Sequence, residues 1–221
     1  MAARLSTPKI KYSMKNYQLF KSHPWHGIHF GNKAPEIVTA FIEIVPTDTV
    51  KYEIDKQSGW LKIDRPQKFS NVVPALYGFV PQTYCGVNIA QFCAQESGRN
   101  DVHSGDGDPL DICVLSEKNI PNGGILLQCR PIGGLRLIDK GEADDKIIAV
   151  LEGDALYAQY QDIDQLPPSV IERLRHYFLT YKNLPESPST CEVAGIYDRQ
   201  TAYEVIRHSI ADYQQLLQNT D

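Results

Sequence analysis

The chain changes rhythm twice. From Glu36 the stretch EIVTAFIEIV is rich in β-branched residues and predicts a strand that stops at Pro46, with Phe41, Glu43 and Val45 on one face and Ile42 and Ile44 on the other. VKYEID, a KQSG turn and WLKID then predict a β-hairpin with Gly59 at its corner. Lys51, Glu53 and Asp55 share one face of its first arm, Tyr52 and Ile54 the other, and Arg65 leaves the second arm just before Pro66. VVPALYGFVP is a short apolar run with Tyr77 and Gly78 at its middle, whereas residues 82–104 are polar and aperiodic and predict a long loop or insertion. Further strands are expected from ICVL, from GILLQCRPIG and LRLID on either side of the Gly133-Gly134 pair, and from KIIAVLE.

After Pro167 and Pro168 the spacing becomes helical. Ser169 and Glu172 have capping-box spacing, and Val170, Leu174, Phe178 and Tyr181 recur at helical intervals. A second helix is expected from about Asp198 to Gln218, with Ala202, Val205, Ile206, Ile210, Tyr213 and Leu217 along one side. Closely spaced strands followed by two helices predict an α+β domain in which helices cover a barrel or strongly bent sheet. Residues 1–35 lack periodicity and are expected to form an irregular arm. At 221 residues the chain is long enough for one well-buried domain, and 1–221 is read as that single domain.

The charged residues that interrupt this pattern gather before apolar strands. GDGDPLDICVL places Asp106, Asp108 and Asp111 at the mouth of a buried strand, where Gly105, Gly107 and Pro109 favour a turn. Carboxylates so close repel one another unless solvent spreads them or a cation neutralises them, and a hard, oxygen-seeking ion such as Mg²⁺ suits them. A solvated surface turn has the same composition. An EF-hand loop fits less well, because the chain turns apolar where the closing Glu should stand, and a DxD phosphatase loop would follow a buried strand rather than precede it. Asp139, Asp144 and Asp145 form a second acidic rim before another buried strand that opens at Lys146. Glu43, in the middle of an apolar strand, needs water, a cation or a partner. The hairpin charges also suit the wet side of a half-exposed hairpin. His23, His26 and His29 in HPWHGIH have metal-like spacing, but no Cys or further His completes a set, so packing or a subunit contact is expected.

Composition narrows the partners. A net charge of -5 without a Lys/Arg-rich tract offers no footprint for nucleic acid or an anionic membrane. The five cysteines include no CxxC pair and are expected as reduced core residues. No N-terminal stretch resembles a signal peptide and no apolar run approaches a membrane span, so a cytoplasmic location is expected.

EIVP, KYEIDKQSGWLKIDR, LYGFVP, GDGDPLDICVL, DKGEADDK and HYFLTYK occur in that order, and the set closely resembles the soluble inorganic pyrophosphatases of family I over roughly residues 36–184. The resemblance implies a five-stranded OB-like β-barrel covered by C-terminal helices. It implies hydrolysis of inorganic pyrophosphate to two orthophosphates without a covalent intermediate, drawing biosynthetic reactions forward. Several Mg²⁺ ions are implied, with Mn²⁺ or Zn²⁺ as substitutes. By the same resemblance Asp106, Asp111 and Asp144 hold the principal ion, Asp111 reaches a second, and Asp139 with Asp144 serves one that arrives with substrate. Asp108 is the implied general base, and Glu43 and Glu53 are outer-sphere carboxylates. Lys51, Arg65, Tyr77, Lys146, Tyr181 and Lys182 match the groups that grip the phosphates. Leu76 and Phe79 stand where many bacterial members carry Asn and Tyr, and Lys140 where Glu is common. A homo-oligomer is implied, a hexamer as in compact members or a dimer as in longer eukaryotic ones.

These residue types suit the chemistry. Pyrophosphate is multiply charged, so that charge must be neutralised before water can reach phosphorus; divalent ions do this and also lower the pKa of a shared water. A general base placed against that water typically contributes about 10²–10⁴-fold. Lysine and arginine compensate charge on the leaving phosphate, while tyrosine hydroxyls orient it. Two rivals remain at this level: a non-catalytic metal- or nucleotide-binding OB-like module, and a phosphohydrolase acting on nucleoside triphosphates or short polyphosphates. The pyrophosphatase reading requires Asp106 and Asp144, from distant loops, to reach one common ion.

Overall fold

The computed structural model describes residues 23–182 and 190–218. In chain order the strands are β1 (Val38–Ile44), β2 (Val50–Ile54), β3 (Leu61–Pro66), β4 (Leu76–Phe79), β5 (Ser104–Gly105), β6 (Asp111–Leu115), β7 (Ile125–Asp139), β8 (Glu142–Ala143), β9 (Lys146–Leu151) and β10 (Cys191–Asp198). The helices are α1 (Val87–Ser97), α2 (Pro168–Thr180) and α3 (Arg199–Gln218). β1, β4, β6, β9 and β7 pair in sequence, and β7 pairs again with β1, closing the five-stranded barrel. Only the β6–β9 junction of this ring is parallel.

The barrel strands are apolar runs because both faces are covered. All of β1 is buried, as are Ile112 to Leu115 of β6 and Lys146 to Val150 of β9. Alternate side chains go to different clusters: Ile112, Val114, Ile147 and Ala149 pack with Ile89 and Cys93 of α1 and Val205 and Ile206 of α3. Cys113, Leu115, Ile148 and Val150 pack with Leu174, Tyr177 and Phe178 of α2. No helix among the described residues is long and apolar enough to cross a membrane. All five cysteine side chains are buried.

Several expectations are corrected. The Gly133-Gly134 pair does not divide two strands; β7 runs unbroken for 15 residues and bends there. A bulge between Pro131 and Gly133 lets the first half of β7 pair with β1 and the second half with β10. A Cβ on Gly134 would come 2.3 Å from the Tyr197 ring, so the packing of that ring on β7 needs glycine. The stretch after α2 is not wholly helical, because β10 precedes α3; its signal is weakened by Ala194 and Gly195 and by a bulge between Val193 and Gly195. The Ser169–Glu172 capping box is not made: α2 starts at Pro168, a favourable first helical position, which places Ser169 inside the helix. Leu217 is 51% exposed, and Asp212 rather than Leu217 joins the buried side of α3.

Residues 82–104, expected as a loop, contain α1. Its buried stripe is only Ile89, Ala90 and Cys93, and it has no side-chain cap of its own. The cap comes from α3: buried Asp212 accepts hydrogen bonds from the amides of Gly86, Asn88 and Ile89 at 2.9, 2.9 and 3.0 Å. Of the N-terminal arm, residues 1–22 lie outside the described residues. The rest packs as expected: the Trp25 indole donates to the Thr83 carbonyl at 2.8 Å, and His26 Nδ1 lies 2.8 Å from the Tyr213 hydroxyl. His23 lies under the hairpin turn, 3.2 Å from the Lys56 carbonyl, and His29 accepts from the Gly31 amide.

Asp212→Ala leaves three amides, that of Ile89 buried, without their acceptor. It should lower unfolding free energy by about 1–2 kcal/mol in urea denaturation, with helix signal lost first from α1 in hydrogen exchange. Unchanged protection of residues 87–97 would contradict this account.

Candidate active site

Two short parallel ladders bring the distant acidic rims together. β6 and β9 pair with Asp111 opposite Lys146, and β5 and β8 pair with Ser104 opposite Glu142 and Gly105 opposite Ala143. Asp106 follows β5 directly and Asp144 follows β8, so the second ladder sets them side by side. The approach depends on Gly105, where a Cβ would lie 2.1 Å from the Cys85 carbonyl oxygen. One carboxylate oxygen each from Asp106, Asp111 and Asp144 then fall within 4.8 Å of one another, the juxtaposition the sequence reading required. Among the described residues this is the one such group able to hold a metal ion, and the three N-terminal histidines do not form another. Three hard oxygen donors without sulfur or imidazole fit a hard divalent cation.

The trio is electrostatically loaded. Burial, then the neighbouring Asp144 charge, raises the Asp106 carboxyl well above its usual range, and burial also raises Asp111. Lys146, 2% exposed, ion-pairs with Asp111 and Asp144. Burial alone would lower its ammonium, but those two carboxylates hold it charged and raise it well above the ordinary value. The Tyr77 hydroxyl donates to Asp111 Oδ2 at 2.6 Å and is raised by burial and by that carboxylate.

The facing wall is the β2–β3 hairpin, a separate two-stranded sheet with Lys51 opposite Arg65. Lys51 Nζ lies 2.9 Å from Asp64 and 3.3 Å from Glu53. The Arg65 guanidinium sits 5.8 Å from the centre of the Tyr181 ring. Lys182 Nζ meets Asp139 at 2.7 Å, and Thr190 donates to the other Asp139 oxygen at 2.7 Å, so Asp139 stands apart from the trio. Glu43 joins the two sheets: 7% exposed in β1, it accepts a 2.7 Å hydrogen bond from the Ile54 amide. That is the partner its buried position demanded.

One cavity of about 690 Å³ is lined by Glu43, Lys51, Glu53, Arg65, Tyr77, Asp106, Asp108, Asp111, Asp139, Asp144, Lys146, Tyr181 and Lys182, which are all thirteen residues singled out from sequence. Lys56 was missed. It lines the same cavity, ion-pairs with Asp108 and donates to the Gly107 carbonyl at 3.3 Å. Its place in a turn carries no periodic signal. Lys62, 3.2 Å from Glu53 in the second arm of the hairpin, and Glu142 were also missed.

The model of the family described as inorganic pyrophosphatase matches residues 40–214. The chain belongs to the inorganic pyrophosphatase family. The inorganic pyrophosphatase of Chlamydia muridarum is 54% identical over 196 residues, covering 86% of this chain and 93% of that protein. Soluble inorganic pyrophosphatase 2 of Chlamydomonas reinhardtii is 36% identical over 202 residues, covering 91% and 94%. Among solved structures, the inorganic pyrophosphatase of Thermus thermophilus superposes with a TM-score of 0.71 at 33% identity, covering 85% of this chain and 97% of that one. Membership of this pyrophosphatase family agrees with the α+β barrel and with the acidic and basic walls.

Glu43 gives the pyrophosphatase site a pH signature. Burial, then the Asp111 charge, pushes its carboxyl up from 4.5 to about 8. A carboxyl that holds its proton more tightly when folded loses stabilising effect as pH rises between those two values. With divalent ions chelated, urea-denaturation stability should therefore fall across that window. Glu43→Gln should flatten the fall by an amount on the order of a few kcal/mol. Equal slopes for the two proteins would show that Glu43 does not titrate there.

Proposed function

We propose that the chain, acting as one catalytic domain, hydrolyses inorganic pyrophosphate to two orthophosphates with Mg²⁺ as its working cation. The observation that carries this reading is one cavity that brings the carboxylate trio together with lysine, arginine and tyrosine side chains. Bound there, Mg²⁺ would screen the substrate's charge and lower the pKa of the attacking water. Asp106, Asp111 and Asp144 would hold it, Asp111 reaching a second ion and Asp139 with Asp144 a peripheral one; Mn²⁺ or Zn²⁺ are the substitutes. Glu43 and Glu53 would orient water around these ions.

Asp108 lies between Asp106 and Asp111 but outside the trio, which leaves its carboxylate available to take the proton of the attacking water. Lys56 holds it until substrate enters. Lys51, Lys146 and Lys182 each rest against a carboxylate, and exchanging that contact for a phosphate oxygen keeps every ammonium paired. Arg65 beside Tyr181 presents a planar fork to the leaving phosphate, and Tyr77 and Tyr181 orient it. The buried thiols accord with a reducing, cytoplasmic setting. A homo-oligomer is part of this reading, taken as a hexamer before a dimer.

Phosphate release should be measured with pyrophosphate, tripolyphosphate and ATP, first under Mg²⁺ and then under Mn²⁺. Pyrophosphate should be strongly preferred under Mg²⁺; equal rates on ATP would replace this reading with a broader phosphohydrolase, and metal binding without release would leave a binding module. Asp108→Asn should lower kcat by about 10²–10⁴-fold while Mn²⁺ affinity is kept. Undiminished turnover would take the general-base role away from Asp108.

A further inference from the structure

Asp144, Asp145 and Lys146 are three consecutive charged residues at the mouth of β9, and two of them line the cavity. Asp145 does not. It is 1% exposed and turned away from the cavity toward Arg136 of β7, itself 5% exposed, with Nε 3.7 Å from Asp145 Oδ1. The guanidinium lies 5.4 Å from the ring centre of Phe92 in α1 and 5.0 Å from that of Tyr197 in β10, with Nη1 3.9 Å from the half-exposed Glu96 carboxylate. Neither Asp145 oxygen has a hydrogen-bond partner among the described residues, so the attraction that holds this carboxylate is the charge of Arg136.

A buried ion pair of this kind adds little to stability, since apolar side chains of similar volume often do as well or better. What such a pair can fix is choice of arrangement. Along an extended chain successive side chains point to opposite sides, so rotating this segment by one residue would bring Asp145 to the cavity and turn Asp144 and Lys146 away. Both arrangements offer a carboxylate to a cation, and the trio by itself does not choose between them. Arg136 does, by giving the middle residue of the three a counter-charge on the far side. The Asp144 amide, bonded to the Leu137 carbonyl at 3.0 Å, ties the same arrangement to β7.

We propose that Arg136 and Asp145 form a positioning pair that sets which of residues 144 to 146 face the cavity, and thereby sets affinity for the divalent cation. This rests on the reading of Asp144 as a metal ligand. The test is Mn²⁺ binding to the full chain without substrate, followed by electron paramagnetic resonance, beside circular dichroism for folding.

Arg136→Met should weaken Mn²⁺ binding of the folded protein about 10–100-fold, the range typical of residues that orient metal ligands. Adding Asp145→Leu to it should restore binding, because leucine at 145 seeks the interior and recovers the arrangement without charge. Arg136→Lys should fall between wild type and Arg136→Met. It also serves if Arg136→Met does not fold, since it keeps the charge; wild-type affinity in every folded Arg136 variant overturns the proposal. Asp154→Ala, a buried carboxylate at the other end of the barrel, should cost stability and leave affinity alone; a matching affinity loss there would reduce the Arg136 effect to general destabilisation. Asp144→Asn should abolish tight Mn²⁺ binding. Retained binding in that variant would remove Asp144 as a ligand, a failure distinct from that of the pair.

Discussion

Three carboxylates and one ammonium share a space that none of them would enter alone. Repulsion among Asp106, Asp111 and Asp144 is overcome because the backbone leaves them no other place: the β5–β8 ladder sets Asp106 beside Asp144, and the β6–β9 ladder sets Asp111 opposite Lys146. Lys146 then supplies part of the missing positive charge from inside the barrel wall. The arrangement is costly in solvation, and the buried apolar faces of β1, β6 and β9 provide the compensating stabilisation. Function and fold draw here on the same few strand pairings.

The second wall is built differently. The hairpin carries its cations on an independent sheet and touches the barrel through particular side chains: Glu43 to the Ile54 amide, Lys56 to Asp108, and His23 beneath Gly59. Its cations are already matched to carboxylates, Lys51 and Arg65 to Asp64 and Lys62 to Glu53. Phosphate would therefore enter by exchange between partners, without requiring that naked charges wait in the cavity.

Legibility in the sequence followed covering. β1, β4, β6 and β9 were readable because strands buried on both faces must be nearly continuous in apolar residues, and the thirteen candidate residues that line the cavity were picked out because they sit in segments that resemble those of a known family. α1 was not, since its three-residue stripe is weak and its cap, Asp212, lies far along the chain. β7 was cut in two at glycines that bend a strand rather than end it, and β10 was lost because Ala194 and Gly195 blur its alternation. Lys56 and Arg136 were invisible for a different reason: their partners, Asp108 and Asp145, are brought to them only by tertiary packing.

Because β2 and β3 share no backbone ladder with the barrel, the hairpin is held against it by side chains: Ile54 and Leu61 pack with Phe41 and Phe79, and Glu43 reaches the Ile54 amide. Lengthening or shortening one of these contacts would retune how many linked phosphate groups can be spanned while leaving the barrel's own pairing undisturbed.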